Sequence, residues 1–314
     1  MTETRSQPDL SVVVAIVSDT TDPKVDLGLL RECLNALTRE QTDPPVLEII
    51  VPYLNHVQGI DAIAREFPVA IFMAVNEPDM SSFKGGNREH HDIIRARGLK
   101  AATGRIVALL EDHEIAAPGW ARAVVTAHEG GEAGIGGAVE NMADNALNWA
   151  VYFCDFCRYQ NPVPVGPTDF ASDANTSYKR EDLFSIQPVW DESFREVVVN
   201  GAFRAAGKSV VLNPAIVAHQ NRRNLTFWQA LKERFVWGRS FAATRNRSLS
   251  GAKRAVYALA SPVLPFLLFF RFFRITKARG QNMGALLRSS PMIILLLLTW
   301  SVGEATGYVS GLTE

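Results

Sequence analysis

The sequence predicts an α/β protein with a mostly parallel, doubly wound sheet flanked by helices, followed by a basic and hydrophobic helical segment at the C-terminal end. Three observations predict it. Short apolar, β-branched runs alternate with stretches of helical spacing from residue 10 to about residue 220. The composition, 47% hydrophobic and 21% charged over 314 residues, suits one large domain with an appendage or two ordinary domains, and excludes a disordered or collagen-like chain. Charge is also segregated: residues 221–288 hold fourteen Lys and Arg against one acid, Glu233, a net +13, so the rest of a chain of formal charge −1 sums to −14.

Taken in order, Leu10–Val17 is a buried strand, closed by the turn-forming Ser18-Asp-Thr-Thr-Asp-Pro23. Leu27–Leu37 has helical spacing, Val46–Val51 is a second strand, Gly59–Phe67 a helix and Val69–Val75 a third strand. His91–Ala102 is a helix ended by Gly104, and the strand Ile106–Leu110 runs straight into Glu111-Asp112-His113. In a parallel doubly wound sheet ligands sit at the carboxyl ends of strands, so this acidic cluster marks the expected site. Pro118–His128 then reads as a helix, Gly134–Glu140 as a strand and Asn161–Asp173 as a loop suited to be a lid. Val210–Val217 is a further strand, placed at a sheet edge because Pro214 interrupts it, and it leads to His219.

The body, residues 1–220, gives way to a basic and apolar helical region, 221–314. A basic block implies an anionic partner, and its neighbours choose among nucleic acid, phosphorylated ligands and lipid. Ala255–Phe270 carries no charge, Met292–Leu298 is unbroken apolar sequence, and Phe266–Arg274 interleaves rings with cations. That pattern suits the headgroup boundary of a membrane, engaged through residues 255–312, rather than nucleic acid. The window Ser289–Leu312, with Glu304 its one charge, has 24 residues, enough to span. Ala255–Phe270 is shorter and holds Pro262 and Pro265; if it spanned alone, the five cations of Arg271–Arg288 would lie outside. An interfacial or re-entrant first segment is expected, with the second spanning or lying alongside it. Three cysteines and a polar start, Met1–Leu10, point to a cytoplasmic body, with Cys154 and Cys157 as two small residues of one helical face.

Glu111, Asp112 and His113 are consecutive carboxylate and imidazole groups at a strand end, a set able to hold a divalent ion. The surrounding stretch, Arg95-Ala-Arg-Gly, Ala102-Thr-Gly104, an apolar strand, Glu-Asp-His and Pro118-Gly-Trp120, resembles the glycosyltransferase family 2 pattern of Arg-Asn-x-Gly, Ala-x-Gly, Asp-x-Asp and Pro-x-Trp. Asp173–Arg180, with Asn175, is similar to that family's Gly-x-Asn-x-x-x-Arg-Arg segment, Trp190-Asp191-Glu192 to its Phe-Asp-Glu, Arg204–Gly207 to its Arg-x-x-Gly turn, and Pro214–His219 to its late strand ending in histidine. The matches fall in order over residues 10–220.

The resemblance implies a GT-A fold, a nucleotide-sugar donor, inverting transfer, and a divalent metal, Mg2+ or Mn2+, that neutralises the leaving diphosphate. Glu111 and His113 fall on the two acids of Asp-x-Asp, with Asp112 between, and His219 approaches the same ion; Asp112, His113 and His219 are the implied metal ligands. For the donor, Asp19, Tyr53 and Asn55 replace the acids that usually end the second strand, while Arg95, Arg97 and Lys100 are placed to meet phosphate. The family's Glu-Asp catalytic pair, counted back from Gly207, lands on Arg195 and Glu196; counted from Arg204, it lands on Val197 and Val198. Only the first register offers a base, so Glu196 is expected to deprotonate the acceptor, with Glu192 second and Asp191 beside it. The implied activity is transfer to a lipid-linked or saccharide acceptor at the cytoplasmic membrane face, in envelope or exopolysaccharide synthesis. A catalytically inactive GT-A-like scaffold subunit is the alternative, since the metal motif and the catalytic pair both deviate. A nucleotidyltransferase would need a glycine-rich basic loop where Ser18–Pro23 stands.

Overall fold

A computed structural model describes residues 7–18, 25–39, 44–76, 89–246 and 249–311. Its strands are β1 (Leu10–Ala15), β2 (Leu47–Leu54), β3 (Ala70–Val75), β4 (Ile106–Glu111), β5 (Glu114–Ala116), β6 (Gly134–Asn141), β7 (Gly166–Pro167), β8 (Asn175–Lys179) and β9 (Val210–Gln220). They form one sheet in the order β3-β2-β1-β4-β8-β6-β9-β5, with β7 paired to β9. The parallel pairings of β1 with β2 and β4, β2 with β3, and β6 with β9 leave only β5, β7 and β8 running against the rest, so the sheet is mostly parallel as the alternating pattern predicts.

Strand β1 reads as a continuous apolar run because both of its faces are covered. Leu10, Val12 and Val14 enter a core shared with α1 (Leu27–Thr38), α2 (Ile60–Glu66) and α4 (Trp120–Ala127), whereas Val13 enters one shared with α3 (Glu89–Ala101), α6 (Arg180–Ser185) and α7 (Glu196–Ala205). The same alternation runs along β4, with Ala108 and Leu110 on one side and Val107 and Leu109 on the other. Helix α7 ends in a Schellman turn: Gly207 has φ +70, its N–H donates to Arg204 O, and Lys208 N–H donates to Phe203 O.

One expectation is corrected. Strand β9 is interior, between β6 and β5, not at an edge. Its pairing with β6 jumps from Asn213 to Val217 opposite Gly137 and Ala138, so Pro214 sits in an irregularity where no ladder donor is required. The expected Asn161–Asp173 loop is present and held at three points: Asn161 N–H donates to Glu140 Oε1 (2.8 Å), its side chain to Pro214 O (3.1 Å), and Thr168 N–H to Val210 O (2.9 Å).

The C-terminal region is helical: α8 (Phe227–Asn246), α9 (Gly251–Ala260), α10 (Leu264–Arg279) and α11 (Met283–Ser310). Helix α11 lies against α8 and against α5 (Ala146–Phe156), and α5, α10 and α11 share a third core through Phe153, Phe156, Phe272, Leu286 and Leu296. The contact of α8 with α11 is backbone to backbone, since a Cβ on Gly238 would stand 2.2 Å from Trp300 O and one on Gly303 2.2 Å from Phe235 O. Two stretches, Gly251–Arg279 and Met283–Ser310, are long and apolar enough to cross a membrane, their most apolar 18-residue windows having mean hydropathies of 1.7 and 1.6.

Candidate functional site

Strand β4 delivers Glu111 to the carboxyl edge of the sheet, Asp112 and His113 form a turn, and Glu114 opens β5. The first and fourth residues of such a turn approach closely. The ligand atoms of Glu111, His113 and Glu114 accordingly all lie within 4.8 Å of one another. His113 Nε2 is 3.4 Å from Glu111 Oε2. Glu114 is fully buried and neither carboxylate oxygen has a hydrogen-bond partner. Burial, reinforced by Glu111 and Asp112, pushes its carboxyl well above the usual range, an arrangement that a cation among the three side chains would relieve.

Beside this cluster stands Arg95 of α3, its side chain 2% exposed. Its guanidinium reaches Glu111 (2.7 Å), Asp173 (3.1 Å) and Asp92 (3.5 Å). Burial works against its charge, but Asp173, Glu111 and Asp92 outweigh that and hold it firmly protonated. Arg195 adds a contact to Asp92 at 3.4 Å. Glu196, the first residue of α7, stands near enough for its charge to act on Arg95.

These groups open on a cavity of about 550 Å3. One end is lined by Arg95, Glu111, His113, Asp173 and Glu196. The other runs between α8, α10 and α11, where Leu264, Leu268, Phe272, Ile275 and Leu297 form the wall. Cations stand along the way: Arg158, Arg222, Arg234, Arg245 and Arg271 all line it. Arg222 is bound to Glu233 through two 2.7 Å bonds, and Arg234 is paired with Asp155.

The expected site residues divide. Glu111, His113, Arg95 and Glu196 come together at the cavity. Asp112 is fully buried and occupied elsewhere, accepting from Val17 N–H (3.1 Å) and from the Ser18 hydroxyl, which ties the end of β4 to β1. His219 lies on β9 opposite Ile115, next in the strand to Gln220, which lines the cavity; alternation turns the His219 side chain to the other face. Asn175 donates to Ala138 O and Ile216 O and accepts from Trp120 Nε1, so its amide joins strands and the α4 tryptophan. Asp191 pairs with Lys100 (2.8 Å), and Glu192, with a side chain 77% exposed, pairs with Arg97 (3.2 Å), on the outer side of α3. Tyr53 and Asn55 stand at the carboxyl end of β2, where Asn55 donates to Asn76. Asp19 lies outside the described residues.

Glu114, Asp173 and Arg158 were not singled out as site residues from sequence. The signal for Glu114 was its place three residues after Glu111 across a turn; Asp173 opened a motif whose asparagine drew the attention, and nothing local marked Arg158. The thiols of Cys33, Cys154 and Cys157 are free, and burial pushes Cys154 up to about 12 and Cys157 up to about 11.

No protein-family model matches the chain, and no curated protein matches it. Among solved structures, it is similar to a mannosyltransferase from Pyrobaculum calidifontis in complex with GDP-Man and Mn2+, with 16% identity over 98% of this chain and 86% of that one and a TM-score of 0.49.

Proposed function

We propose that the chain is a GT-A-type, inverting glycosyltransferase that moves a sugar from a nucleotide-sugar donor to a lipid-linked or saccharide acceptor. One observation carries the reading. At the carboxyl edge of a parallel sheet, the residues that match the family 2 metal motif gather with a buried, unpartnered Glu114, and share a cavity with Glu196. Glu111, His113 and Glu114 would hold Mg2+ or Mn2+, which supplies positive charge against the leaving diphosphate. Arg95, already shared by three carboxylates, keeps that wall rigid and favours the ionised form of Glu111. Tyr53 and Asn55 are assigned to the nucleotide base. Glu196 takes the proton of the acceptor hydroxyl as its oxygen attacks the anomeric carbon, and the bond to the diphosphate breaks on the opposite face. In this reading residues 1–220 form the catalytic unit, residues 221–314 hold it to the cytoplasmic face of the membrane, and the product serves envelope or exopolysaccharide synthesis.

The test is calorimetric titration of the purified protein with Mn2+, followed by hydrolysis and transfer assays over a panel of nucleotide sugars. Glu114→Gln should weaken Mn2+ binding by about 10-fold to 100-fold or more while stability without metal changes by less than about 1 kcal/mol. Mn2+ bound equally well by wild type and Glu114→Gln overturns the ligand set. Donor bound but never hydrolysed or transferred would favour the inactive scaffold, a reading consistent with Arg195 bridged to Asp92 in the place of the first catalytic acid.

A further inference from the structure

The cavity is chemically graded, and the gradation names the class of acceptor. Its apolar wall is built from Leu264, Leu268 and Ile275 of α10 and Leu297 of α11, in the same cavity as the acidic end. A free sugar presents hydroxyls on every side and gains nothing from such a wall. At the junction stand Arg158 and Arg271. Arg158 follows Cys157, whose thiol contacts Phe272 O (3.8 Å), next in α10 to Arg271; Arg279 of the same helix donates to Arg158 O (3.3 Å). The two arginines feel each other's like charge. The Arg158 guanidinium lies 4.5 Å from the centre of the Phe170 ring and close enough to the Tyr159 hydroxyl to act on it, and neither arginine side chain has an acidic partner among the described residues. Contrast Arg222 and Arg234, which line the same cavity and are each neutralised by a carboxylate. Tyr159 in turn feels the charges of Glu196 and Asp173. Tyr159 thus links the carboxylates to the arginine pair, and both share the cavity with the apolar wall.

Resting on the glycosyltransferase reading, we infer that the acceptor is a single-chain lipid whose headgroup is joined through a phosphate: its chain lies along Leu264, Leu268 and Leu297, its phosphate between Arg158 and Arg271, and a hydroxyl of the headgroup beyond the phosphate points to Glu196, which takes its proton as the hydroxyl oxygen bonds the sugar and the donor diphosphate leaves. Two like charges brought together without a counter-ion repel, and a phosphate received between them by guanidinium forks gains charge-assisted bonds where none need first be broken. The chain supplies affinity by leaving water, at about 0.8 kcal/mol per buried methylene. The exposed Phe266, Leu267 and Phe270 on the outer face of α10 put the apolar end where a lipid layer would meet it.

Trp237 and Trp300 line the cavity, so binding is read by their fluorescence in the full-length protein in detergent. Dodecyl phosphate, dodecanol and inorganic phosphate are titrated below micelle-forming concentration. Dodecyl phosphate should bind at least about tenfold tighter than dodecanol, with inorganic phosphate silent, and the double variant Arg158→Ala/Arg271→Ala should erase that difference while leaving dodecanol unchanged. Leu268→Gln, which leaves both arginines in place, should weaken both amphiphiles and serves if the double variant does not fold. Equal affinity for the phosphate and the alcohol, or indifference to both arginines, overturns the proposal; quenching by inorganic phosphate as strong as by dodecyl phosphate would make this a site for free phosphate and overturn it as well. Nucleotide-sugar binding with Mn2+ is followed on the same samples by thermal shift. Its absence would sink the transferase reading while the amphiphile result stood, and its presence with no arginine effect would do the reverse.

Discussion

Arg95 Nη2 and Glu111 Oε1 meet at 2.7 Å, the arginine side chain 2% and the glutamate 13% exposed, and through that contact the helix before β4 opposes the effect of burial on the strand's last residue. Burial first, with the charges of Asp173 and Asp112, holds the Glu111 carboxyl above its ordinary value, against the downward pull of His113 and Arg95. Replacing Arg95 by Met leaves Glu111, Asp173 and Asp92 without their shared cation, and the urea midpoint should fall by an amount equal to about 3–5 kcal/mol. Arg95→Lys, a point charge unable to reach three carboxylates at once, should recover only part of that. Stability unchanged in both variants would mean that the three carboxylates do not depend on this cation.

Glu196 and Glu192 make a discriminating pair. Both are glutamates near the start of α7, but only Glu196 lines the cavity, whereas Glu192 faces solvent against Arg97. Glu196→Gln should lower transfer by about 10²–10⁴-fold with donor binding preserved, and Glu192→Gln should stay within a few-fold of wild type. The reverse pattern in steady-state kinetics would assign the base to Glu192.

His128 predicts a pH dependence of folding. Burial first, then the charges of Lys179 and Arg105, depress its imidazole to about 4, and Nε2 lies 2.9 Å from Ser177 Oγ. A depressed folded pKa means that the native state binds fewer protons than the unfolded one below pH ~6.5. The neutral ring's contribution is fully present above that pH and is lost as pH falls towards 4. Between pH 7.5 and 4.5 the wild type should lose about 2–3 kcal/mol more than His128→Gln, measured as paired urea unfolding curves. Parallel losses in the two proteins would place the titration elsewhere.

Gly303 and Gly284 lie on the same helix, α11, in opposite surroundings. A Cβ on Gly303 would meet Phe235 O at 2.2 Å, while nothing lies within 4 Å of one on Gly284. Gly303→Val must push α8 and α11 apart, at a cost of about 1–3 kcal/mol or more, and should expose the segment joining β9 to α8 to trypsin. Gly284→Ala should leave stability within about 1 kcal/mol. Equal tolerance at the two positions would show that the helices are not in backbone contact.

Much of the fold was legible because its signals are local. Near-continuous apolar runs marked β1, β2 and β4, helical spacing marked α1, and Gly207 marked a turn that it does make, at φ +70. Pro214 misled because a missing donor matters only against a partner strand, and the irregular pairing that absorbs it is a property of two strands at once.

By itself the sequence determined that carboxylates and an imidazole stand at the end of a buried strand, since an apolar run cannot stop in acids anywhere but at a sheet edge. Which of them face the cavity was decided by tertiary structure. The turn at Asp112 and His113 returns the chain so that Glu114 rejoins Glu111, while Asp112 is drawn inward by Val17 N–H and Ser18 of β1 and its following turn. Strand alternation about Gln220 turns His219 away, and the packing of α3 carries Asp191 and Glu192 to the outer ion pairs with Lys100 and Arg97. The junction of Arg158 with Arg271 spans more than a hundred residues and exists only because α10 docks on the end of α5. Side-chain type is written in the chain, but direction and proximity depend on what each element packs against.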